Sequence, residues 1–271
     1  MITGNISKMG VKLGDSVIYE LPIGNEKILL NPLLGKSISL TYTGNIHCIN
    51  CGRKTKKSYS QGHCYPCMKK LASCDMCIMK PETCHYAQGT CREPEWGEAH
   101  CMQPHFVYLA NSSGLKVGIT RETQIPTRWI DQGAMQALAI AVVQTRYQVG
   151  LMEVILKNHV NDKTDWRKML KNEVEPIDLV GKRDALLSEC SLEISELQAK
   201  FGEGDIQLTP DAEPVTIHYP VLQYPQKVKA LNFDKNPKVS GILEGIKGQY
   251  LILDTGVLNI RKFTGYELTF Q

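Results

Sequence analysis

Ten cysteines are the residues most able to do chemistry in this chain of 271, and nine of them fall between positions 46 and 105. Cys48-x2-Cys51 is followed, twelve residues on, by Cys64-x2-Cys67. Two such pairs across a loop make a zinc-ribbon pattern, because each pair forms a tight knuckle and four thiolates complete a closed tetrahedral site. Gly52, directly after the first knuckle, is a residue free to take a positive φ. A second cluster follows in Cys74-x2-Cys77, Cys84 and Cys91. Four thiolates are the natural set there, with His85, His100, Cys101 or His105 able to replace one of them. The expectation is two structural zinc ions. An iron–sulfur cluster at one set is the metal alternative, and buried cysteines without a ligand are the plain structural one. Closed four-thiolate sites leave no position for a substrate, so these metals are expected to support the fold rather than catalyse.

Between Gly52 and Ser73 the chain has no Asp or Glu. It carries Arg53, Lys54, Lys56, Lys57, Lys69 and Lys70, interleaved with Tyr59, His63 and Tyr65. Basic side chains contact phosphates and aromatic rings stack on bases, which makes DNA or RNA the expected partner. The competing reading is a solvated surface whose positive charge balances the thiolates. A protein partner for the zinc knuckles is a third reading.

Further on, Phe106–Ala110 and Leu115–Thr120 read as strands joined by a turn of small polar residues, Asn111–Gly114. Arg128-Trp129 opens a helix after Pro126, Ala137–Gln144 is strand-like, and 150–159 is helical with Glu153 inside it. This order resembles the GIY-YIG nuclease superfamily over about 65 residues, Phe106 to roughly Leu170. Tyr108 matches the tyrosine of the first motif, and Lys116-Val117-Gly118 falls where Tyr-Ile-Gly belongs. Arg128, ten residues past Gly118, matches the arginine of that superfamily, and Glu153 its metal-binding glutamate. The departures are Phe106 in place of the first glycine and Lys116 in place of the second tyrosine. The resemblance implies phosphodiester cleavage with magnesium or manganese at Glu153 and Arg128 stabilising charge on the phosphoryl oxygens. Tyr108 would orient or deprotonate water. Lys116 would be a base only if burial lowers its pKa, and is otherwise a phosphate clamp. As a whole the chain also resembles a bacterial family, without an established activity, that joins a cysteine-rich zinc region to such a segment and β-rich ends.

The elements that must position these residues give five stretches: 1–45, short strands; 46–105, cysteine-rich; 106–175, the GIY-YIG-like module; 176–238, a helix from Asp178 and a linker; and 239–271, strands again, at 250–253, 257–261 and 266–270. The cysteine-rich stretch has few apolar runs and needs metal to stay folded. Leu179, Leu186, Leu187, Cys190, Ile194, Leu197 and Phe201 recur at helical spacing, and Gly202 supplies a stop. At the two ends, ILLNPLLGKSISLTYTG and GVLNIRKFTGYELTF both read Leu-Asn, a spacer, Gly, then a strand. This is either the chance likeness of β meanders or a duplicated β unit. The fold expected is α+β: a zinc-ribbon-like region, a small α/β module, and β-rich ends packed together. Apolar residues at 42% and charged residues at 22% suit a globular chain, and a net charge of +3 does not by itself demand a polyanion. The absence of a membrane-length apolar run and of a secretory leader predicts a cytoplasmic protein with no membrane partner. Ser/His/Asp triads, a GxxxxGKS loop and a GxGxxG fingerprint are missing from the sequence.

Overall fold

The computed structural model describes residues 1–160 and 163–271. At the N-terminus the chain forms β1 (Ile2–Asn5), β2 (Gly10–Lys12), β3 (Ile18–Ile23), β4 (Glu26–Leu29) and β5 (Ser37–Ile46). Period-two burial sets these strands: Tyr19, Leu21 and Ile23 point inward from β3 while Ile18 is exposed. The cysteine-rich stretch holds only two short helices, α1 (Tyr65–Lys70) and α2 (Pro94–Cys101), separated by single 3-10 turns. The central module is β6 (His105–Asn111), β7 (Leu115–Arg121), α3 (Thr127–Asp131), β8 (Gln136–Val143) and α4 (Arg146–Leu156). Thr145 and Gln148 form a reciprocal capping box that fixes where α4 begins. There follow α5 (Trp166–Lys171), α6 (Leu179–Glu189), α7 (Ser191–Phe201), β9 (Ile206–Leu208) and β10 (Val215–Thr216). The chain closes with β11 (Lys238–Lys247), β12 (Tyr250–Leu253), β13 (Gly256–Asn259) and β14 (Tyr266–Phe270).

The module sheet runs β7-β6-β8, all antiparallel, with β9 and β10 both pairing along β8. Its two faces serve two cores. Tyr108, Ala110 and Ala137 join the core of the β-rich ends, while Val107, Leu109, Leu138 and Ile140 pack with α4, α6 and α7. Residues from both chain ends and from the module therefore share one apolar core.

The β-rich ends form a pseudo-symmetric pair. Their strands order as β1-β14-β5-β11-β12-β13, with β2-β3-β4 as a separate ladder. Thr41 pairs with Thr269, flanked by Leu40 with Phe270 and Tyr42 with Leu268, so Leu-Thr-Tyr meets Leu-Thr-Phe about a local two-fold axis. The equivalence extends outward. Tyr19 accepts from the backbone of Leu30, as Leu251 pairs with Leu258. Gly10-Val11-Lys12 lies on β3 as Gly245-Ile246-Lys247 lies on β12. The duplicated β unit is thus present in the pairing, with β1 and β2 together matching the long β11.

Three expectations about elements need correction. The single helix after Asp178 is two helices, broken at Cys190 (φ −98°, ψ 14°). The bend keeps Leu186, Cys190 and Ile194 in one core. The strand expected over 257–261 ends at Asn259, whose side chain accepts from Lys262 N–H and starts a 3-10 turn. The linker stretch contributes β9 and β10 to the module, which the short polar sequence there does not announce. Among the described residues no helix is long and apolar enough to cross a membrane.

Candidate metal centre and cationic cleft

Cys48, Cys51, Cys64 and Cys67 bring four sulfurs within 4.8 Å of one another. Local backbone chemistry explains why. In the first knuckle Gly52, at φ +69°, lets its N–H return to the Cys48 carbonyl (2.8 Å) while Cys48 N–H reaches Arg53 O (2.9 Å). In the second, Cys64 precedes α1, and Cys67 sits within that helix. The Cys51 and Cys64 sulfurs are 3.8 Å apart. A tetrahedral ion with Zn–S bonds of about 2.3 Å requires sulfurs about 3.8 Å apart, so the set fits zinc. Charge points the same way. Burial raises the Cys48 thiol, but N–H donors from Cys64, Cys51 and Asn50 outweigh it and bring Cys48 down to about 6. Asn50 donates to Cys67 (3.5 Å), yet the neighbouring Cys64, Cys51 and Cys48 push Cys67 up to about 12. A dication held among these sulfurs would favour the thiolate form of its ligands. His47 N–H to Gly265 O (2.8 Å) and Ser58 Oγ to Thr264 O (3.1 Å) tie this ribbon to the C-terminal strands.

The second cysteine cluster closes around a cavity of about 10 Å³, lined by Cys77, Cys84, Cys91 and Cys101 together with Asp75, His85 and Arg92. Cys74 is not among the lining residues, and its sulfur sits 4.0 Å from Ser73 Oγ. Asp75, Cys77 and His85 place ligand atoms within 4.8 Å of one another. Asp75 Oδ2 meets Arg92 Nε at 2.5 Å, and Oδ1 accepts from Cys77 N–H at 3.2 Å. Burial, then Asp75 and Cys84, push the Cys77 thiol up to about 11.

Beside this cluster opens a cleft of about 330 Å³. Its cationic lining is Lys8, Arg121, Arg128, Arg146 and Arg261, against two carboxylates, Asp131 and Glu153. The pieces come from the whole chain: Lys8 from the N-terminal strands, Arg261 from the C-terminal turn, the rest from the module, and Ile78, Met79 and Pro81 from the cysteine-rich stretch. Asp131 is committed, with Oδ2 on Lys8 Nζ (2.9 Å) and Oδ1 on Gln249 Nε2 (2.8 Å). Arg146 reaches the carbonyls of Cys77 (3.3 Å) and Ile78 (2.7 Å) and so fastens one wall to α4. Arg261 Nε donates to Gln61 of the ribbon at 2.6 Å. Like charges are crowded here. Burial and then Arg146 lower the Arg121 pKa; burial and then Arg128 lower that of Arg261. His105 also lines the cleft, is 1% exposed, and its Nε2 has no hydrogen-bond partner among the described residues.

The residues singled out by sequence are brought together only in part. Arg128 and Glu153 line the same cleft. Tyr108 is fully buried behind it, its hydroxyl donating to Gln132 Oε1 (3.0 Å). Burial raises its phenol pKa, with Arg128 as the nearest opposing influence. Gly118 faces Tyr108 across the ladder, and a Cβ there would stand 2.6 Å from the phenol ring, so this glycine makes room for the tyrosine. Lys116 is 4% exposed, opposite Ala110 at the far end of β7 from Thr120 and Arg121, and does not line the cleft. Arg53, Lys54, Lys56, Lys57, Lys69 and Lys70 are all exposed on the ribbon. Sequence reading missed Arg121, Arg146, Arg261 and Lys8, and weighed His105 only as an alternative metal ligand. Their separation along the chain gives no local signal.

Fold and site together define an α+β protein with a four-cysteine site that fits a metal and, beside the second cysteine cluster, an arginine-lined cleft. The chain belongs to the DUF2797 family, proteins of unknown function, whose family model matches residues 35–268. No curated protein matches the chain. No solved structure matches it.

Proposed function

We propose that this protein binds nucleic acid in the arginine-lined cleft and cleaves a phosphodiester there with a divalent cation held at Glu153. The observation that carries the reading is the charge imbalance of the cleft: five cationic side chains face two carboxylates, one of them already neutralised by Lys8. Crowded guanidiniums are costly when no anion lies between them, and phosphate oxygens accept from several at once. A cavity of about 330 Å³ admits a nucleotide-sized group rather than a lone ion.

Glu153 lines the cleft with Arg128, and its likeness to the GIY-YIG glutamate makes it the carboxylate assigned here to magnesium or manganese. Such an ion would polarise the phosphoryl group. The surrounding positive charge disfavours a bare dication, so cation and phosphate bind together. Arg128 stands to stabilise charge developing on the non-bridging oxygens. Tyr108 is a positioning residue in this reading: its buried phenol, with a raised pKa, stays protonated at neutral pH, donates to Gln132 and accepts from Arg128. The likeness of Tyr108, Lys116-Val117-Gly118, Arg128 and Glu153 to the GIY-YIG nucleases supports the same reaction class. Exposed lysines on the ribbon, with Tyr59 and Tyr65 edge-to-face at 5.6 Å, offer the flanking strand a phosphate track and a stacking surface. The test is incubation of the zinc-loaded protein with varied single- and double-stranded DNA and RNA, with magnesium or manganese. Binding without cleavage would leave a zinc-stabilised nucleic-acid-binding protein; neither binding nor cleavage would sink the proposal.

A further inference from the structure

We infer that Cys77, Cys84, Cys91 and Cys101 hold a second structural zinc ion, and that Cys74 lies outside its ligand set. This inference stands apart from the nuclease reading, because it concerns what builds one wall of the cleft.

The four sulfurs come from a 3-10 turn, two irregular segments and the last turn of α2, and all four residues line a single cavity. That cavity, at about 10 Å³, has room for one atom and none for a substrate. The stretch around it lacks a strand ladder or a long helix, so little besides a metal can hold these pieces in register. Gly97 shows how tightly α2 is drawn in. A Cβ there would stand 2.9 Å from the Tyr86 ring and 3.0 Å from the Cys91 sulfur. Cys101 lies four residues on, on the same helix face, and is therefore delivered to the same cavity.

Charge complements a tetrathiolate ion, which would carry two negative charges. Arg92 lines the cavity, and Arg146 donates to the carbonyls of Cys77 and Ile78 at its edge. The competing ligand set is Asp75, Cys77 and His85, whose atoms lie within 4.8 Å of one another, a spacing that no three of the four sulfurs meet, although all four cysteines line the cavity. Asp75 is occupied by Arg92 on one oxygen and by Cys77 N–H on the other, and His85 Nδ1 is within 2.8 Å of Thr90 Oγ1. Both residues line the cavity too, but both Asp75 oxygens are engaged, and four soft sulfurs suit a metal that prefers them.

The test is zinc content per chain, with cobalt(II) substitution as a spectroscopic probe. Wild-type protein should carry two zinc ions, Cys74→Ser should keep both, and Cys84→Ser and Cys101→Ser should each lose one. Should Cys101→Ser fail to fold, Cys101→His serves instead: it should keep two metals while shifting the cobalt d–d absorption, as nitrogen replaces one sulfur. The inference is overturned if wild type holds one metal, if Cys74→Ser loses one, or if Cys101→His leaves the cobalt spectrum unmoved. Loss of one zinc in Asp75→Asn or His85→Ala, with Cys84→Ser keeping two, would overturn it in favour of the competing set.

Discussion

Glu153 stands among guanidinium groups, so replacing it separates ground-state binding from chemistry. Glu153→Gln should abolish magnesium- or manganese-dependent cleavage while oligonucleotide affinity holds or rises, since a negative charge leaves a positive cleft. Arg128→Ala should raise the barrier by about 2.7–4 kcal/mol, the scale of one preorganised donor, read as a drop in kcat. His105 supports a different prediction. Burial drives its pKa down from 6.5 to about 4, so the folded protein holds it neutral while the unfolded chain protonates it. The stability this represents is complete above pH 6.5 and is lost as pH falls from there through about 4. The loss is roughly 3 kcal/mol at the acid end. His105→Gln should flatten that part of the profile. Urea melts of both proteins from pH 7 to 4.5 check it, and the thiolate sites cancel because both chains carry them. An identical pH profile for the two would remove the imidazole as the cause. Sequence motif spacing reached Arg128 and Glu153, because a strand-turn-strand-helix order fixes their separation. It could not show that Lys116 lies outside the cleft lining or that Tyr108 is buried beside Arg128; both depend on how β6 and β7 pack against the ends of the chain.

Elements meet closely where α4 docks on the cysteine-rich stretch. A Cβ at Gly150 would stand 2.3 Å from Glu82 N and 2.5 Å from the Pro81 carbonyl carbon, both backbone atoms that cannot rotate away. Gly150→Ala should therefore cost roughly 1–3 kcal/mol, the usual penalty for overpacking, and part the wall that carries Ile78, Met79 and Pro81 from Arg146. Thermal melts measure the first effect, and weakened oligonucleotide binding the second. A melt unchanged within about 0.5 kcal/mol would mean that this docking is not tight in solution. Strands such as β3 and β6 were legible because their apolar residues alternate or run together. The 3-10 turns between α1 and α2 were not, since no apolar period runs through that stretch. Nor were β9 and β10, whose few residues pair along β8 only because α6 and α7 return the chain to that edge.

At the scale of the whole molecule, a net charge of +3 conceals a cleft in which five cations face two carboxylates. The concealment follows from the fold: β5 lies between β14 and β11, so the N- and C-terminal halves close on each other and bring Lys8 and Arg261 to the module. The repeated Leu-Asn–spacer–Gly–strand pattern made that closure partly readable, though not its consequence for the cleft. Under the proposed function, two cationic surfaces compete as the path of a bound strand, the cleft and the ribbon, and Gln61 joins them through Arg261. Salt dependence separates their parts. Each phosphate contact contributes about 0.9 to the slope of log affinity against log salt on duplex DNA and about 0.7 on a single strand. Arg121→Gln with Arg128→Gln should lower the slope on duplex by about 2 and eliminate cleavage. Lys54→Glu with Lys69→Glu, both exposed, should also flatten the slope, yet leave the cleavage rate at saturating substrate nearly unchanged, because those lysines hold flanking phosphates and not the reacting one. A ribbon variant with wild-type slope would take the ribbon out of the interface. A cleft variant with wild-type slope would show that the arginines serve the fold alone, and the strand would then have to run along the ribbon, away from Glu153.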